Sequence, residues 1–210
     1  MLQLTNIKNI IFDLGGVIFN IDYNLTIEEF KKLNLKNYDK LFTKTEQSQL
    51  FSLLETGKIS PENFRTEIKK LSEVEITDSQ IDFAWNAMLL NLPPERIELL
   101  KKLKNKYRIF ILSNANEIHI IEFSNILQKT LKIDGLSHIF EKVYFSHEVG
   151  MRKPDSEIFE FVLNENNLKA NETLFIDDSP QHVESAKKLG INAYHLTNGE
   201  TIHNIFAAIV

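Results

Sequence analysis

Several features that would mark particular protein classes are missing from this sequence. Its 210 residues include no cysteine, which excludes disulfide scaffolds, thiolate zinc sites and cysteine nucleophiles. No apolar run approaches the roughly 18 residues that a membrane span needs, and the first residues lack the pattern of a secretory signal. We therefore expect a soluble, cytoplasmic protein that does not use a membrane as a partner.

The sequence also has no excess of positive charge. Lys and Arg number 24 against 29 Asp and Glu, which gives a formal net charge of −5. This balance argues against a broad nucleic-acid-binding face, because proteins that bind the phosphate backbone concentrate positive charge. It leaves open a small phosphorylated metabolite, which needs only one lysine and a few backbone amides. Oligomeric state cannot be read from the composition.

Short apolar segments rich in β-branched residues predict a doubly wound parallel α/β sheet. Helical periodicity lies between these segments, and strands that alternate with helices are typical of this fold class. The predicted strands are Ile7–Asp13, Tyr107–Ser113, Lys142–Ser146, Thr173–Asp177 and Ile191–His195, and the predicted core helices are Pro94–Lys104, Asp155–Asn166, Pro180–Leu189 and the C-terminal segment IHNIFAAIV.

A long segment without strands separates the first two predicted strands. It is far longer than the dozen or so residues that a crossover needs, and it contains several amphipathic stretches. We therefore predict an all-helical insertion over residues 20–88, between core segments 1–19 and 89–210. Its predicted helices are Leu25–Leu35, Tyr38–Leu54, Pro61–Leu71 and Asp78–Leu90.

Polar residues stand at or just beyond the carboxyl ends of four predicted strands. Asp13 ends the first strand, Ser113 and Asn114 end the second, Lys153 lies beyond the third, and Asp177–Asp178 end the fourth. A parallel sheet would bring all of them to one edge, where open α/β sheets bind their ligands.

These residue types together indicate phosphoryl transfer. A carboxylate such as Asp13 can attack phosphorus and form an aspartyl-phosphate. Lys153 and a hard cation such as Mg²⁺, held by Asp13, Asp177 and Asp178, would offset the negative charge of the phosphoryl group. Ser113 and Asn114 would donate hydrogen bonds to its oxygens. Each residue alone has a simpler interpretation as a turn or helix-capping residue, so the inference depends on their joint occurrence at successive strand ends.

With these motifs the chain resembles the haloacid dehalogenase-like superfamily. FDLGG at 12–16, LSNAN at 112–116, GMRKPD at 150–155 and FIDDSP at 175–180 match its four motifs in order, and the helical insertion resembles its type-1 cap. The bacterial branch that contains α-D-glucose-1-phosphate phosphatase is the most similar in these motifs. The resemblance implies that Asp13 is the nucleophile, that Ser113 and Lys153 bind phosphate, and that Asp178, Asp177 and the carbonyl of Gly15 bind Mg²⁺. The expected activity is Mg²⁺-dependent hydrolysis of a small phosphate monoester, such as a hexose 1-phosphate.

One position departs from the pattern of the superfamily's phosphatases. They usually carry a second Asp, which serves as general acid and base, where this chain has Gly15. General acid–base assistance is typically worth about 10²–10⁴-fold. The gap therefore leaves open a non-catalytic sugar-phosphate-binding protein or a 2-haloacid dehalogenase. An anomeric phosphate, with its better leaving group, would need the acid less. His182 is a candidate to replace it, although we prefer to interpret His182 as an exposed helix residue.

Five further side chains are possible contributors to the site. Trp85 either lines the pocket or packs within the insertion. Arg152 is either a phosphate contact or, as we prefer, half of a surface ion pair. Phe19, Asn20 and Tyr23 follow the first motif closely enough to reach a cleft between the insertion and the core.

Overall fold

The computed structural model describes residues 4–35, 49–197 and 199–207, together with the backbone pairing of residues 42–43 with 46–47. In chain order its strands are β1 (Asn9–Phe12), β2 (Asn20–Ile21), β3 (Phe42–Thr43), β4 (Glu46–Gln47), β5 (Leu89–Asn91), β6 (Arg108–Ser113), β7 (Lys142–Phe145), β8 (Thr173–Asp177) and β9 (Asn192–His195). Its helices are α1 (Tyr23–Lys31), α2 (Gln49–Glu55), α3 (Pro61–Leu71), α4 (Asp78–Asn86), α5 (Pro94–Lys104), α6 (Glu117–Leu131), α7 (Ser146–Val149), α8 (Ser156–Glu165), α9 (Pro180–Lys188) and α10 (Ile202–Phe206).

Five parallel strands form the central sheet, in the order β7-β6-β1-β8-β9. Side chains alternate between its two faces, so Ile10 and Phe12 pack beneath α5, α6 and α10, whereas Ile11 packs beneath α8 and α9. Burial on both faces explains why the strands are almost continuously apolar. The predicted doubly wound sheet is confirmed; Thr173–Asp177 has the predicted bounds, and the other four strands are one to three residues shorter than expected.

Helices α1 to α4 share a hydrophobic cluster that is separate from the two beside the sheet. Its aromatic members include Phe30, Phe51, Phe64 and Trp85, and the rings of Phe51 and Trp85 stack at 4.7 Å. Trp85 is only 4% exposed, so it packs within the insertion. We call residues 20–88 the cap segment; that division remains a prediction, which this separate cluster supports.

An antiparallel ribbon joins the two ends of the cap segment to the core. β2 pairs with β5, and the Asn20 side chain donates a hydrogen bond of 3.0 Å to Asn91. Neither strand was predicted, because two or three residues are too few to show an alternating pattern. The predicted helix over Asp78–Leu90 is wrong at its end, since it stops at Asn86 and Leu89–Leu90 belong to β5. The ribbon fixes where the chain enters and leaves the cap segment.

Two further differences from the prediction concern helices. A helix over Tyr38–Leu54 is wrong at residues 42–43 and 46–47, where β3 and β4 pair antiparallel. In the described part of this segment only Gln49–Glu55 is helical, and residues 36–41, 44–45 and 48 lie outside the described part. The fifteen-residue helix α6 was not predicted. It begins at the side chain of Asn116, which accepts a hydrogen bond of 3.1 Å from the His119 amide.

In the described residues, no helix combines the length and apolar character that crossing a membrane would require.

Candidate active site

The register of the sheet brings three of the sequence motifs to one edge. Phe12 pairs with Ile111 on one side and with Ile176 on the other. Asp13 follows at once, and its amide donates to the carbonyl of Ile176 at 2.9 Å. Asp13 therefore lies beside Asp177, the last residue of β8, at the carboxyl edge that β6 reaches with Ser113.

Lys153 joins the two carboxylates. Its Nζ lies 2.9 Å from Oδ1 of Asp13 and 2.6 Å from Oδ2 of Asp177, and the side chain is completely buried. A buried ammonium needs paired negative charge, and these two carboxylates supply it. Lys153 is 140 residues from Asp13 in sequence, and both residues were predicted to meet here.

The three groups have unequal pKa values. Burial raises the pKa of Asp13 to about 6, despite the nearby charge of Lys153. Burial also acts to raise the pKa of Asp177, but Lys153 and a hydrogen bond from His182 outweigh it and hold that pKa well below its ordinary value. Burial would lower the pKa of Lys153, yet the charges of Asp13 and Asp177 raise it. Lys153 and Asp177 therefore form an ion pair, and Asp13 shares the same ammonium.

Asp178 is less constrained than its neighbour. Burial and the charges of Asp13 and Asp177 raise its pKa to about 7. Its carboxylate lies against the loop after β1, where a Cβ built on Gly16 would stand 2.2 Å from Oδ2 of Asp178. Gly16 also has a φ of +74°, so only glycine suits this close approach.

The arrangement fits a divalent cation. Asp13, Asp177 and Asp178 place three carboxylates near one lysine, and burial, together with the charges of neighbouring carboxylates, raises the pKa of Asp13 and of Asp178. Carboxylate oxygens are the ligands that Mg²⁺ prefers. Ligand atoms of Asp13, Asp177 and His182 lie within 4.8 Å of one another. The predicted contribution of the Gly15 carbonyl remains a prediction.

Hydrogen bonds separate the roles of the two adjacent aspartates. The carboxylate of Asp177 accepts hydrogen bonds from the Ser179 amide at 2.8 Å and from Nδ1 of His182 at 3.0 Å, besides that from Lys153. Since ionised Asp177 can only accept, Nδ1 of His182 carries the proton. Asp177 is thus occupied by protein partners, and Asp178 is the better placed of the two to bind a metal directly. His182 is largely buried, which contradicts its interpretation as an exposed helix residue.

Asn114 holds the backbone of Lys153. Its Oδ1 accepts from the Lys153 amide at 2.9 Å, and its Nδ2 donates to the Lys153 carbonyl at 2.8 Å. Ser113, directly before it, is buried at the end of β6. The sequence analysis missed this positioning contact, since nothing in LSNAN indicates which segment the amide will meet. That Ser113 and Asn114 bind phosphate remains a prediction.

The side chain of Ile21 covers Gly15. A Cβ built on Gly15 would lie 3.1 Å from Cδ1 of Ile21, which is closer than ordinary van der Waals contact. A carboxyl-bearing side chain at this position would therefore require Ile21 to move.

The cap segment touches the core next to Lys153. Arg152 pairs with Glu55 at 3.1 Å, and both side chains are mostly buried. The hydroxyl of Ser146 donates to the carbonyl of Glu55 at 2.5 Å. The predicted ion pair of Arg152 is confirmed, although it joins the cap segment to the core rather than lying on the surface. Glu55 and Ser146 carried no motif signal, because they are 91 residues apart in the chain.

The chain is similar to known proteins over nearly its whole length. Residues 10–195 match the haloacid dehalogenase-like hydrolase family. The chain is 31% identical to D-ribitol-5-phosphate phosphatase of Bacteroides thetaiotaomicron, over 92% of this chain and 93% of that protein. It is 28% identical to a sesquiterpene phosphatase of Aspergillus oryzae, over 92% of each.

A solved structure supports the same likeness. The crystal structure of a haloacid dehalogenase family enzyme from Bacteroides thetaiotaomicron, in complex with magnesium and inorganic phosphate, superimposes with a TM-score of 0.83. It is 37% identical in sequence and covers 95% of this chain and 99% of its own.

Proposed function

The chain belongs to the haloacid dehalogenase-like hydrolase family and is a phosphatase, and we propose that it hydrolyses small sugar or sugar-alcohol phosphates with Mg²⁺ through an aspartyl-phosphate on Asp13. The contact that carries this proposal is the bridge from buried Lys153 to Asp13 and Asp177 at the carboxyl edge of the sheet. A lysine held in this way supplies a fixed positive charge where a phosphoryl group would meet Asp13.

The hydrogen bonds to Asp13 favour a nucleophilic role. Within the described residues, those from the Leu14 amide at 2.7 Å and from Lys153 at 2.9 Å both end on Oδ1. They fix the carboxylate and leave Oδ2 available to attack phosphorus. Asn114 and Asp177 hold Lys153 from its backbone and from its ammonium, so the positive charge is in place before the substrate arrives.

Asp13, Asp178 and the carbonyl of Gly15 would hold the Mg²⁺. When bound, the cation supplies positive charge that offsets the carboxylates and the phosphoryl oxygens. Burial and the charges of neighbouring carboxylates raise the pKa of both Asp13 and Asp178, and a bound cation would stabilise their ionised forms, which supports this assignment.

The cap side of the site suits an alcohol rich in hydroxyl groups. Tyr23, the first residue of α1 and two residues beyond Ile21, is 56% exposed. An accessible phenol at the start of the cap segment can hydrogen-bond a hydroxylated leaving group. Hexose 1-phosphates and D-ribitol 5-phosphate are the substrates that we would test first, the latter because a relative is named for it.

A 2-haloacid dehalogenase explains the carboxylates less well. In a dehalogenase the nucleophilic aspartate forms an ester with a carbon atom of the substrate, and this step needs no cation. In this chain, however, the charges of Asp13 and Asp177 act on Asp178, and burial together with these charges raises its pKa to about 7. Clustered carboxylates beside an anionic substrate are unfavourable without a metal. The remaining alternative is a protein that binds sugar phosphates without turnover.

The test is phosphate release from a panel of monophosphates, measured with Mg²⁺ and with EDTA. The panel comprises hexose 1-phosphates, D-ribitol 5-phosphate, a prenyl phosphate and a nucleoside monophosphate. Wild type and Asp13→Asn are compared, with Asp155→Asn as a matched control because Asp155 is exposed and its side chain makes no capping hydrogen bond.

We expect release that requires both Mg²⁺ and Asp13 and is greatest on the sugar and sugar-alcohol phosphates, with Asp155→Asn active. Binding of phosphate without any release would instead identify a binding protein. Greatest activity on the prenyl phosphate would contradict the proposed substrate class.

A further inference from the structure

Lys153 lies in a loop, residues 150–155, that joins α7 to α8. In this loop Asn114 holds the backbone of Lys153, and the Arg152 carbonyl accepts a hydrogen bond of 3.0 Å from the Asp155 amide. Because Arg152 directly precedes Lys153, a contact that fixes Arg152 also restricts where the buried ammonium can stand.

The cap segment supplies such a contact. Nη2 of Arg152 lies 3.1 Å from Oε2 of Glu55, the last residue of α2, and the two side chains are only 19% and 10% exposed. An ion pair that is mostly buried constrains its partners more than a surface pair does, because losing one partner leaves the other charge away from water. The residue next to Lys153 is therefore held from the cap segment.

The backbone of Glu55 reaches the same lysine by a second route. The Ser146 hydroxyl donates to the Glu55 carbonyl at 2.5 Å and accepts from the Ala115 amide at 3.0 Å. Ser146 is completely buried, and Ala115 directly follows Asn114, which holds the Lys153 backbone. Two series of contacts thus lead from Glu55 to Lys153, one through its side chain and one through its backbone.

The chain just beyond Glu55 lies directly against the core. A Cβ built on Gly57 would stand 2.3 Å from the His147 carbonyl oxygen, so the two backbones approach more closely than a side chain would allow. Thr56, between Glu55 and Gly57, is 7% exposed. The position of the Glu55 carboxylate is therefore set by close packing of the cap segment on the core.

We propose that Glu55 is a positioning residue, which acts through Arg152 to hold Lys153 beside Asp13 when the cap segment lies on the core. An ammonium that is already in place offsets the charge of the phosphoryl group without rearranging during the reaction. A displacement of about 1 Å in such a group can lower the rate about 10²-fold. The inference rests on the proposed phosphatase activity.

The test separates positioning from stability. Glu55→Gln removes the negative charge with little change in size. The double variant Glu55→Met/Arg152→Met replaces both charges with apolar side chains, a change that is often neutral or stabilising for a buried ion pair. Asp82→Asn is the matched control, because it breaks an ion pair within the cap segment, that of Asp82 with Arg65 at 2.8 Å.

The measurements are Tm, and kcat in Mg²⁺ on the best substrate of wild type, at a temperature where circular dichroism shows every variant folded. We expect Glu55→Gln to lose about 10-fold or more in kcat and to have a lower Tm. The double variant should regain the Tm of wild type but not its kcat, which should stay within about threefold of that of Glu55→Gln, since residues that act through one another have non-additive effects. Asp82→Asn should keep the kcat of wild type.

Three results would overturn the positioning role. Wild-type kcat in Glu55→Gln, or recovery of kcat together with Tm in the double variant, would leave Glu55 with a structural role only. A double variant far less active than Glu55→Gln would show that Arg152 acts on the substrate itself. Wild type that releases no phosphate from any substrate would instead refute the proposed function, and this inference with it.

Discussion

We expect the metal-free protein to lose stability as the pH rises from about 5 to about 8, and Mg²⁺ to reverse most of that loss. In EDTA, Asp13 and Asp178 have pKa values of about 6 and about 7, above the ordinary value of 3.8. In this range the folded state holds protons that the unfolded state has already released. The free energy of unfolding therefore falls as pH rises through the window and levels off above it.

The magnitude follows from the Asp13 carboxyl, which is 8% exposed. Between pH 5 and its pKa of about 6, at about 1.4 kcal/mol per pKa unit, Asp13 alone accounts for a loss of about 1.4 kcal/mol. Asp178 adds to this, although the two carboxylates interact and their effects do not sum. For a chain of this length, about 1.4 kcal/mol corresponds to a fall in Tm of roughly 3–6 °C.

The assay is thermal unfolding at pH 5 and pH 8 in EDTA and in Mg²⁺, for wild type, Asp178→Asn and the exposed control Asp155→Asn. Asp178→Asn removes one of the repelling carboxylates. In EDTA at pH 8 this variant should be more stable than wild type, and it should gain less from Mg²⁺. Asp155→Asn should follow wild type in all four conditions.

Two results would refute this reasoning. The first is a metal-free wild type whose Tm is constant or rises between pH 5 and pH 8. The second is an Asp178→Asn variant that is no more stable than wild type at pH 8 in EDTA. Either would mean that the carboxylates are not held together under strain in the absence of a cation.

Three further substitutions test contacts around the site. Asn114→Ala removes both hydrogen bonds to the Lys153 backbone, and we expect kcat to fall about 10-fold or more while circular dichroism is unchanged; wild-type kcat would contradict the positioning role. Gly57→Ala would place a Cβ 2.3 Å from the His147 carbonyl oxygen at a φ of +64°, so kcat/KM and Tm should both fall. Unchanged values would show that this contact between the cap segment and the core is not required. Ser146→Ala leaves a buried backbone amide and carbonyls without the hydroxyl, which should lower the free energy of unfolding by about 1–3 kcal/mol in a urea titration; a change below about 0.5 kcal/mol would argue against it.

The sequence was sufficient for features that depend on neighbouring residues. The apolar runs of the five core strands determine burial on both faces of a parallel sheet. The helices at Pro61–Leu71 and Pro94–Lys104 were predicted to the residue, because proline suits the first turn of a helix and little else. Asp13 and Asp177 were identified because they stand where such strands end.

The sequence was insufficient where a helix lacks such a marker. α6 begins directly after LSNAN, which we interpreted as a phosphate-binding motif, and the amphipathic pattern that follows was not recognised as a helix. The segment before α2 has helical spacing, but the pairing of β3 with β4 overrides local propensity there. The free energy gained when two strands pair depends on both strands, so the residue pattern of one strand does not reveal that it will pair.

Tertiary structure alone decided how the site is completed. Three contacts around the site join residues that are distant in sequence or separated by a turn. They are the contact of Ile21 with Gly15, the hydrogen bonds of Asn114 to Lys153 and the ion pair of Arg152 with Glu55. None of these side chains has a residue type that predicts its partner. The sequence thus determined which polar groups meet at the carboxyl edge of the sheet, since parallel strands align their ends by geometry. How the cap segment is placed over those groups depends on packing between the cap segment and the core, and such packing forms only in the folded chain.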